Sequence, residues 1–134
     1  MNQITTKGTV FTGGGIGSLY IKIPWVQKQI RAKLGFSPYF GTLNIRLQDQ
    51  QEKQLEDLRK RFKGIEISPA PSFFPARCFT ASIMNTVKGA VIIPEKPNYP
   101  SDVLEIIAPD HLREKLRLKD GDEVEITVFL KVEH

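Results

Sequence analysis

The chain has no apolar run approaching the roughly 18 residues that cross a bilayer, and its start, Met1 to Lys7, is too polar for a signal peptide. A cytoplasmic protein with no membrane partner is expected. Cysteine is nearly absent: Cys78 stands alone, which excludes an internal disulfide and any centre built on several thiolates, and it reads as a small core residue. Histidine is as scarce. His111 and His134 have no ligand cluster around them, so a zinc site is not expected, and Ser, His and Asp form no nucleophile-elbow pattern. Repeats, low-complexity tracts and linkers are missing too, which leaves one domain over residues 1–134. Nor is there much excess of one charge. The 19 basic and 15 acidic side chains leave +4, which suits a polyanionic ligand but is modest for a nucleic-acid binder. The densest basic stretch, Arg59 to Lys63, follows Glu56 and Asp57, so a solvated helical face accounts for it.

What is present fits a folded domain: 40% hydrophobic and 25% charged residues are close to globular averages. Ile4 to Phe11 reads as a strand, broken by Thr12-Gly13-Gly14-Gly15-Ile16-Gly17. Ser18 to Ile23 then alternates Leu19, Ile21 and Ile23 with Tyr20 and Lys22, which predicts a second strand. Pro24 suits a first helical turn, Val26, Ile30 and Leu34 repeat every four residues, and Gly35 can cap the helix. Proline at 38 predicts an extended turn into a strand at Thr42 to Leu47. Leu55, Leu58 and Phe62 predict a surface helix over Gln51 to Phe62, followed by a short strand at Ile65 to Ile67. Ser68 to Pro75 is a proline-rich loop. Ala76 to Asn85 and Lys88 to Ile93 read as paired strands, and Pro94 to Ser101 as a second loop. Val103 to Ala108 is a strand, Asp110 to Leu116 a short helical piece, and Glu123 to Val132 a final strand after the turn Asp120-Gly121-Asp122. Seven or so strands with only short helices do not suit a doubly wound parallel sheet, which needs a crossover after nearly every strand. A small closed barrel fits better.

Several residue groups have the chemistry of a site. Four glycines at 13, 14, 15 and 17 let backbone N–H groups converge on an anion, although a glycine-rich hairpin loop accounts for them equally well. Neither standard phosphate loop fits: no Lys-Ser or Lys-Thr pair follows Gly17, Ser18 replaces the last glycine of a dinucleotide fingerprint, and a strand rather than a helix is predicted next. Thr42 and Asn44, two apart on a strand, offer two hard oxygen donors on one face, a carboxylate-free pair that suits Mg²⁺ or simply makes a polar strand face. Glu105 lies among Val103, Leu104, Ile106 and Ile107, where a charge needs a partner or a polar strand face. Substrate hydrogen bonding and proton acceptance are both open to it. Trp25, Tyr39, Phe40, Phe73 and Phe74 can stack on a flat ring or serve as core and cover.

Taken together, TGGGIGSLYIKIP, KLGFSPYFGTLNIRL, GAVIIPEKPNY and LEIIAPDHLREKLRLKDGD resemble the archaeal CTP-dependent riboflavin kinases in order and spacing across nearly the whole chain. The resemblance implies a mainly β fold, a compact six-stranded cradle-loop barrel with short peripheral helices. It also implies transfer of the γ-phosphoryl group of CTP to the 5′-hydroxyl of riboflavin, giving FMN and CDP, with Mg²⁺ as cofactor. CTP/CDP and riboflavin/FMN are then the partners of a monomer that binds no specific nucleic acid. Carried over by residue, Gly13, Gly14, Gly15, Ile16, Gly17, Ser18 and Leu19 match nucleotide-binding positions, as do Asp110, His111, Leu112 and Arg113. Thr42 and Asn44 match the metal ligands. Glu105 matches a flavin-contacting glutamate and is the candidate base or substrate orienter, and Pro97 falls in the flavin region. Two departures stand out: family members commonly carry an acidic residue at the place of Ile16 and a threonine at that of Pro97. Proline keeps a carbonyl acceptor but brings no hydroxyl and no N–H.

Such a site works by positioning and charge stabilisation rather than by covalent chemistry. The rival reading is a swapped-hairpin-type barrel regulator that binds DNA, suggested by LRLKDGDEVEI and the basic balance.

Overall fold

Side-chain alternation along the strands decides the architecture. The computed structural model describes residues 3–13, 16–68 and 74–130, with the side chains of 16–18 excepted. Seven strands run β1 (Gln3–Phe11), β2 (Leu43–Arg46), β3 (Ile65–Ile67), β4 (Ala76–Ile83), β5 (Val87–Pro94), β6 (Val103–Ile107) and β7 (Glu123–Phe129). Four helices, α1 (Ile16–Ile21), α2 (Pro24–Leu34), α3 (Asp49–Arg61) and α4 (Leu112–Lys115), lie between them. All pairings are antiparallel, in the order β3-β4-β5-β6-β2-β1-β7, and a further β4–β7 pairing closes six of the strands into a barrel. Closure removes the open edges that an antiparallel sheet of this size otherwise exposes. The first half of β4 carries β3 on one edge, through Ile65↔Cys78 and Ile67↔Ala76. The second half carries β7 on that same edge, through Ala81↔Val128 and Ile83↔Ile126.

Inward positions fill the barrel: Val10, Leu43, Ile45, Phe79, Ala81, Ile83, Val91, Leu104, Ile106, Val124, Ile126 and Val128 belong to one buried cluster. Their outward neighbours differ by region. On β7 they are the exposed Glu123 and Glu125, whereas on β4, β5 and β6 they are Cys78, Ala90, Ile92 and Ile107, which form a second cluster with Tyr20, Ile21, Val26 and Ile30 of α1 and α2. The near-continuous apolar run of β5 follows from this, since a strand covered on both faces has no polar side to show. At Gly89 of β5 an added Cβ would lie 2.3 Å from the Ile107 carbonyl oxygen, so the close approach of β6 requires glycine there.

The helices form where the spacing predicts, with one exception. α2 buries Val26 and Ile30 and ends on Gly35, whose φ of 85° lets its N–H reach the Ile30 and Arg31 carbonyls. α3 has Asp49 and Glu52 in its first turn and Arg59, Lys60 and Arg61 in its last, matching the helix dipole at both ends. Its Leu58 packs into the barrel cluster, and Arg77 of β4 donates to the Arg59 and Phe62 carbonyls at its C-terminal end.

The exception is the strand expected at Ser18 to Ile23, which is helix α1 over Ile16–Ile21. Alternation across six residues is a weak signal, and Tyr20 and Ile21, adjacent in sequence, are both buried, as a helix face allows and a one-sided strand does not. Tyr20 stacks on Phe74 with centroids 5.4 Å apart, while Leu19, an inward position in the strand reading, is 68% exposed. The glycine turn therefore leads into a helix, which corrects the strand-flanked loop expected from the sequence. No helix among the described residues is long and apolar enough to cross a membrane.

Candidate functional site

Register brings together residues far apart in the chain. Phe11 of β1 pairs with Asn44 of β2, Asn44 with Glu105 of β6, Glu105 with Ile92 of β5, and Ile92 with Cys78 of β4, so the five form one row across the outer wall. The β4 and β5 end of the row lies in the apolar cluster with α1 and α2. At Glu105 the row turns polar.

Glu105 is 4% exposed and is met by donors on every side. Thr42 Oγ1 donates to its Oε1 at 2.9 Å, and the Tyr99 hydroxyl donates to its Oε2. The Asn44 amide completes the set when its nitrogen faces Glu105 Oε1 at 3.2 Å and Thr42 Oγ1 at 3.3 Å, while its oxygen accepts from the Gly13 N–H at 3.3 Å. The opposite orientation sets the amide oxygen 3.3 Å from Thr42 Oγ1, whose single proton is already engaged by Glu105. The expected carboxylate-free pair of Thr42 and Asn44 thus has a carboxylate beside it. Three hard oxygen groups within hydrogen-bond distance of one another fit a small divalent cation, which favours the amide orientation that offers the oxygen. Among the described residues no group of three or more His, Cys, Asp or Glu forms a metal site.

Beside these residues opens a cleft of about 250 Å³. It is lined by Thr12 and Gly13, by Gly41 to Asn44, and by Tyr39 and Asp110 to Arg113. Glu105 does not line it. The β1 end and the 120–122 turn are joined by Val10 and Gly121 backbone bonds of 2.8 Å, which bring Asp120 to Thr12. Arg113 Nη2 donates to Asp120 Oδ1 at 2.6 Å and to Thr12 Oγ1 at 3.4 Å, and Thr12 Oγ1 donates to Asp120 Oδ2 at 3.0 Å. Arg113 first, then Thr12, hold the Asp120 carboxyl below the usual carboxylate range. In the same lining Tyr39 stacks on His111, with centroids 4.5 Å apart and planes 4° from parallel.

Of the residues singled out in the sequence, Gly13, Thr42, Asn44, Asp110, His111, Leu112 and Arg113 come together at this cleft. Glu105 lies directly behind it. Leu112 is core, 4% exposed, while His111 and Arg113 on either side of it reach outward. Leu19 lies on α1, as do Ile16, Gly17 and Ser18, whose side chains are outside the description. Gly14, Gly15, Phe73 and His134 are outside the described residues. Pro97 is exposed, at the second position of a turn closed by Tyr99 N–H to the Lys96 carbonyl at 3.1 Å, with Asn98 at φ 65°. This is the pattern of a type II turn. Sequence reasoning missed two groups. Tyr99 was legible only as a donor near a carboxylate in need of a partner, and Asp120 was hidden by its role in a turn.

Fold and site define a small antiparallel barrel whose cleft gathers a backbone N–H, hard oxygen donors and a cationic side chain. A sequence model of the CTP-dependent riboflavin kinase family (CTP-dep_RFKase, described as "Domain of unknown function DUF120") matches residues 10–128. The chain belongs to this family. A riboflavin kinase of Sulfurisphaera tokodaii is 41% identical over 128 residues, covering 92% of this chain and 94% of that protein. Those of Archaeoglobus fulgidus and Methanococcoides burtonii are 41% and 40% identical over 134 residues, and in both cases the match covers 95% of this chain. The chain spans little more than half of these two longer relatives, 55% and 58% of their lengths.

Proposed function

We propose that this chain, acting as one domain, is a riboflavin kinase that transfers the γ-phosphoryl group of CTP to the 5′-hydroxyl of riboflavin, giving FMN and CDP. The observation that carries this reading is the meeting of Gly13, Thr42, Asn44 and Arg113 at one cleft, in a chain that is 41% identical to a riboflavin kinase across nearly the full length of both. The swapped-hairpin regulator reading finds no support in these relatives.

In the proposed reaction the chain positions two substrates and stabilises charge as the phosphoryl group moves. Once the Asn44 oxygen turns from Gly13 toward a metal, the Gly13 N–H is released to donate to a phosphate oxygen, and Arg113 adds positive charge once an anion shares or displaces Asp120. The Thr42 and Asn44 oxygens would hold Mg²⁺, which when bound neutralises phosphate charge. Tyr39 and His111 form a flat stacked pair in the lining of the cleft, suited to cover a ring. Glu105, whose two oxygens receive Thr42 and Tyr99 in either orientation of the Asn44 amide, serves better to orient neighbouring groups than to remove a proton. A loose transition state needs little early proton removal.

A panel of CTP, ATP, GTP and UTP, each with riboflavin and Mg²⁺, tests this reading. FMN should form with CTP far faster than with the others, and no FMN with any nucleotide would sink the kinase reading. FMN formed best with ATP would keep the kinase and reject the donor.

A further inference from the structure

Glu105 is a buried carboxylate on a flexible side chain, in a wall whose next outward neighbours, Ile92 and Ile107, are apolar. Strand register fixes its Cα opposite Asn44 but does not choose the direction of the carboxyl group. Thr42 and Asn44 both address Oε1, on the cleft side. The two oxygens of a carboxylate are equivalent, so what these donors leave open is the plane of the group, which a donor to Oε2 fixes.

Tyr99 supplies that hold from outside the strands. Its backbone is set by the Lys96–Tyr99 turn, where Pro97 fixes φ at the second position and Asn98 takes a left-handed conformation that asparagine tolerates better than most residues. Its phenol reaches back to donate to Glu105 Oε2. Burial first, and the bond to Glu105 second, push this phenol well above its usual range.

We propose that Tyr99 is a positioning residue: its hydroxyl takes up Glu105 Oε2 and so fixes the plane of the group with Oε1 turned toward Thr42 and Asn44, joining the Pro97 turn to the lining of the cleft. One line of hydrogen bonds then runs from that turn through Tyr99, Glu105 and Asn44 to the Gly13 N–H. Tyr99 is not among the residues that line the cleft. It acts through Glu105.

The inference rests on the phosphotransfer reading above, so its test has one arm that turnover does not enter. In the wild-type chain and the Tyr99→Phe variant, kcat and KM for each substrate are measured. The variant should lose about tenfold in kcat/KM for riboflavin, the scale of one hydrogen bond to a charged group, with KM for CTP within about twofold of wild type. In a Glu105→Gln background the same change should cost less than about twofold, because a residue acting through Glu105 has nothing left to position. Full additivity in that background, or unchanged kinetics in Tyr99→Phe, would overturn the proposal. Failure of the wild-type chain to form FMN would instead reject the phosphotransfer reading. In the turnover-free arm, a crystal structure of Tyr99→Phe should show the Glu105 carboxylate rotated away from Thr42. A carboxylate still bonded to Thr42 Oγ1 in the wild-type orientation would overturn it whatever the rates.

Discussion

Cys78 and Glu105 stand on the same row of the same outer wall, two strands apart, and their surroundings are opposite. Around Cys78 the wall is sealed by β3, α1 and α2, and burial pushes its thiol up to about 12. Around Glu105 the cover is replaced by donors from Thr42, Tyr99 and Asn44. Both side chains are almost inaccessible, so exposure does not separate them. What separates them is whether the neighbouring atoms can hydrogen-bond: the thiol stays neutral at little cost, whereas a carboxylate there requires partners for its lone pairs. One sheet face can therefore be core at one end of a row and chemistry at the other, with the change made across a single strand pair, Ile92 and Glu105.

Breaking the polar half should abolish function and spare the fold. Asn44→Ala removes the group that meets Gly13, Thr42 and Glu105, and FMN formation should fall at least about 100-fold, with little change in the thermal midpoint. Wild-type rates in this variant would erase the division drawn here. Breaking the apolar half should do the reverse. Ile30→Ala, at a fully buried α2 position over the wall, should cost about 2–5 kcal/mol in urea unfolding, while the rate per folded molecule stays near wild type. The smallest effect belongs to the exposed edge of the cleft, where Asp120 is held below its usual range by Arg113 and then Thr12. A lowered folded-state pKa contributes stability above the unfolded value and loses it as pH falls through the folded value, here below about pH 3.9. Because Asp120 is solvent-exposed, the shift should be visible by carboxyl NMR titration but hardly in stability. Arg113→Ala should return the midpoint toward the ordinary value, and an unchanged midpoint would detach Arg113 from this edge.

The barrel was legible because its strands alternate or run continuously apolar according to whether one face or both are covered, and α2 because Val26, Ile30 and Gly35 follow helical rules. α1 was not, since six residues fit two periods and the choice was made by Phe74, a partner some fifty residues away that local sequence does not reveal. At the site, Thr42, Asn44 and Glu105 were each identifiable as chemical types. Their junction was not, because it depends on β2 pairing with β6, whose partners Asn44 and Glu105 are far apart in the chain, and register between distant strands leaves no local mark. Tyr99 was lost for a different reason: it is only six residues from Glu105, but the direction in which its turn sends the phenol leaves no mark in the sequence.

The double use of the β4 edge has a consequence for how the chain reaches this state. β3, β4, β5 and β6 pair with their sequence neighbours and can zip up as a meander, and β1 and β2 likewise pair with one another. β7 is different. It slots between β1 and the second half of β4, joining Gln3 to Phe129 and Ile83 to Ile126, and among the described residues no other strand pairs with those two edges. During synthesis the two edges therefore stay open until the last strand has left the ribosome. That interval is when this protein is most exposed to pairing with the wrong chain.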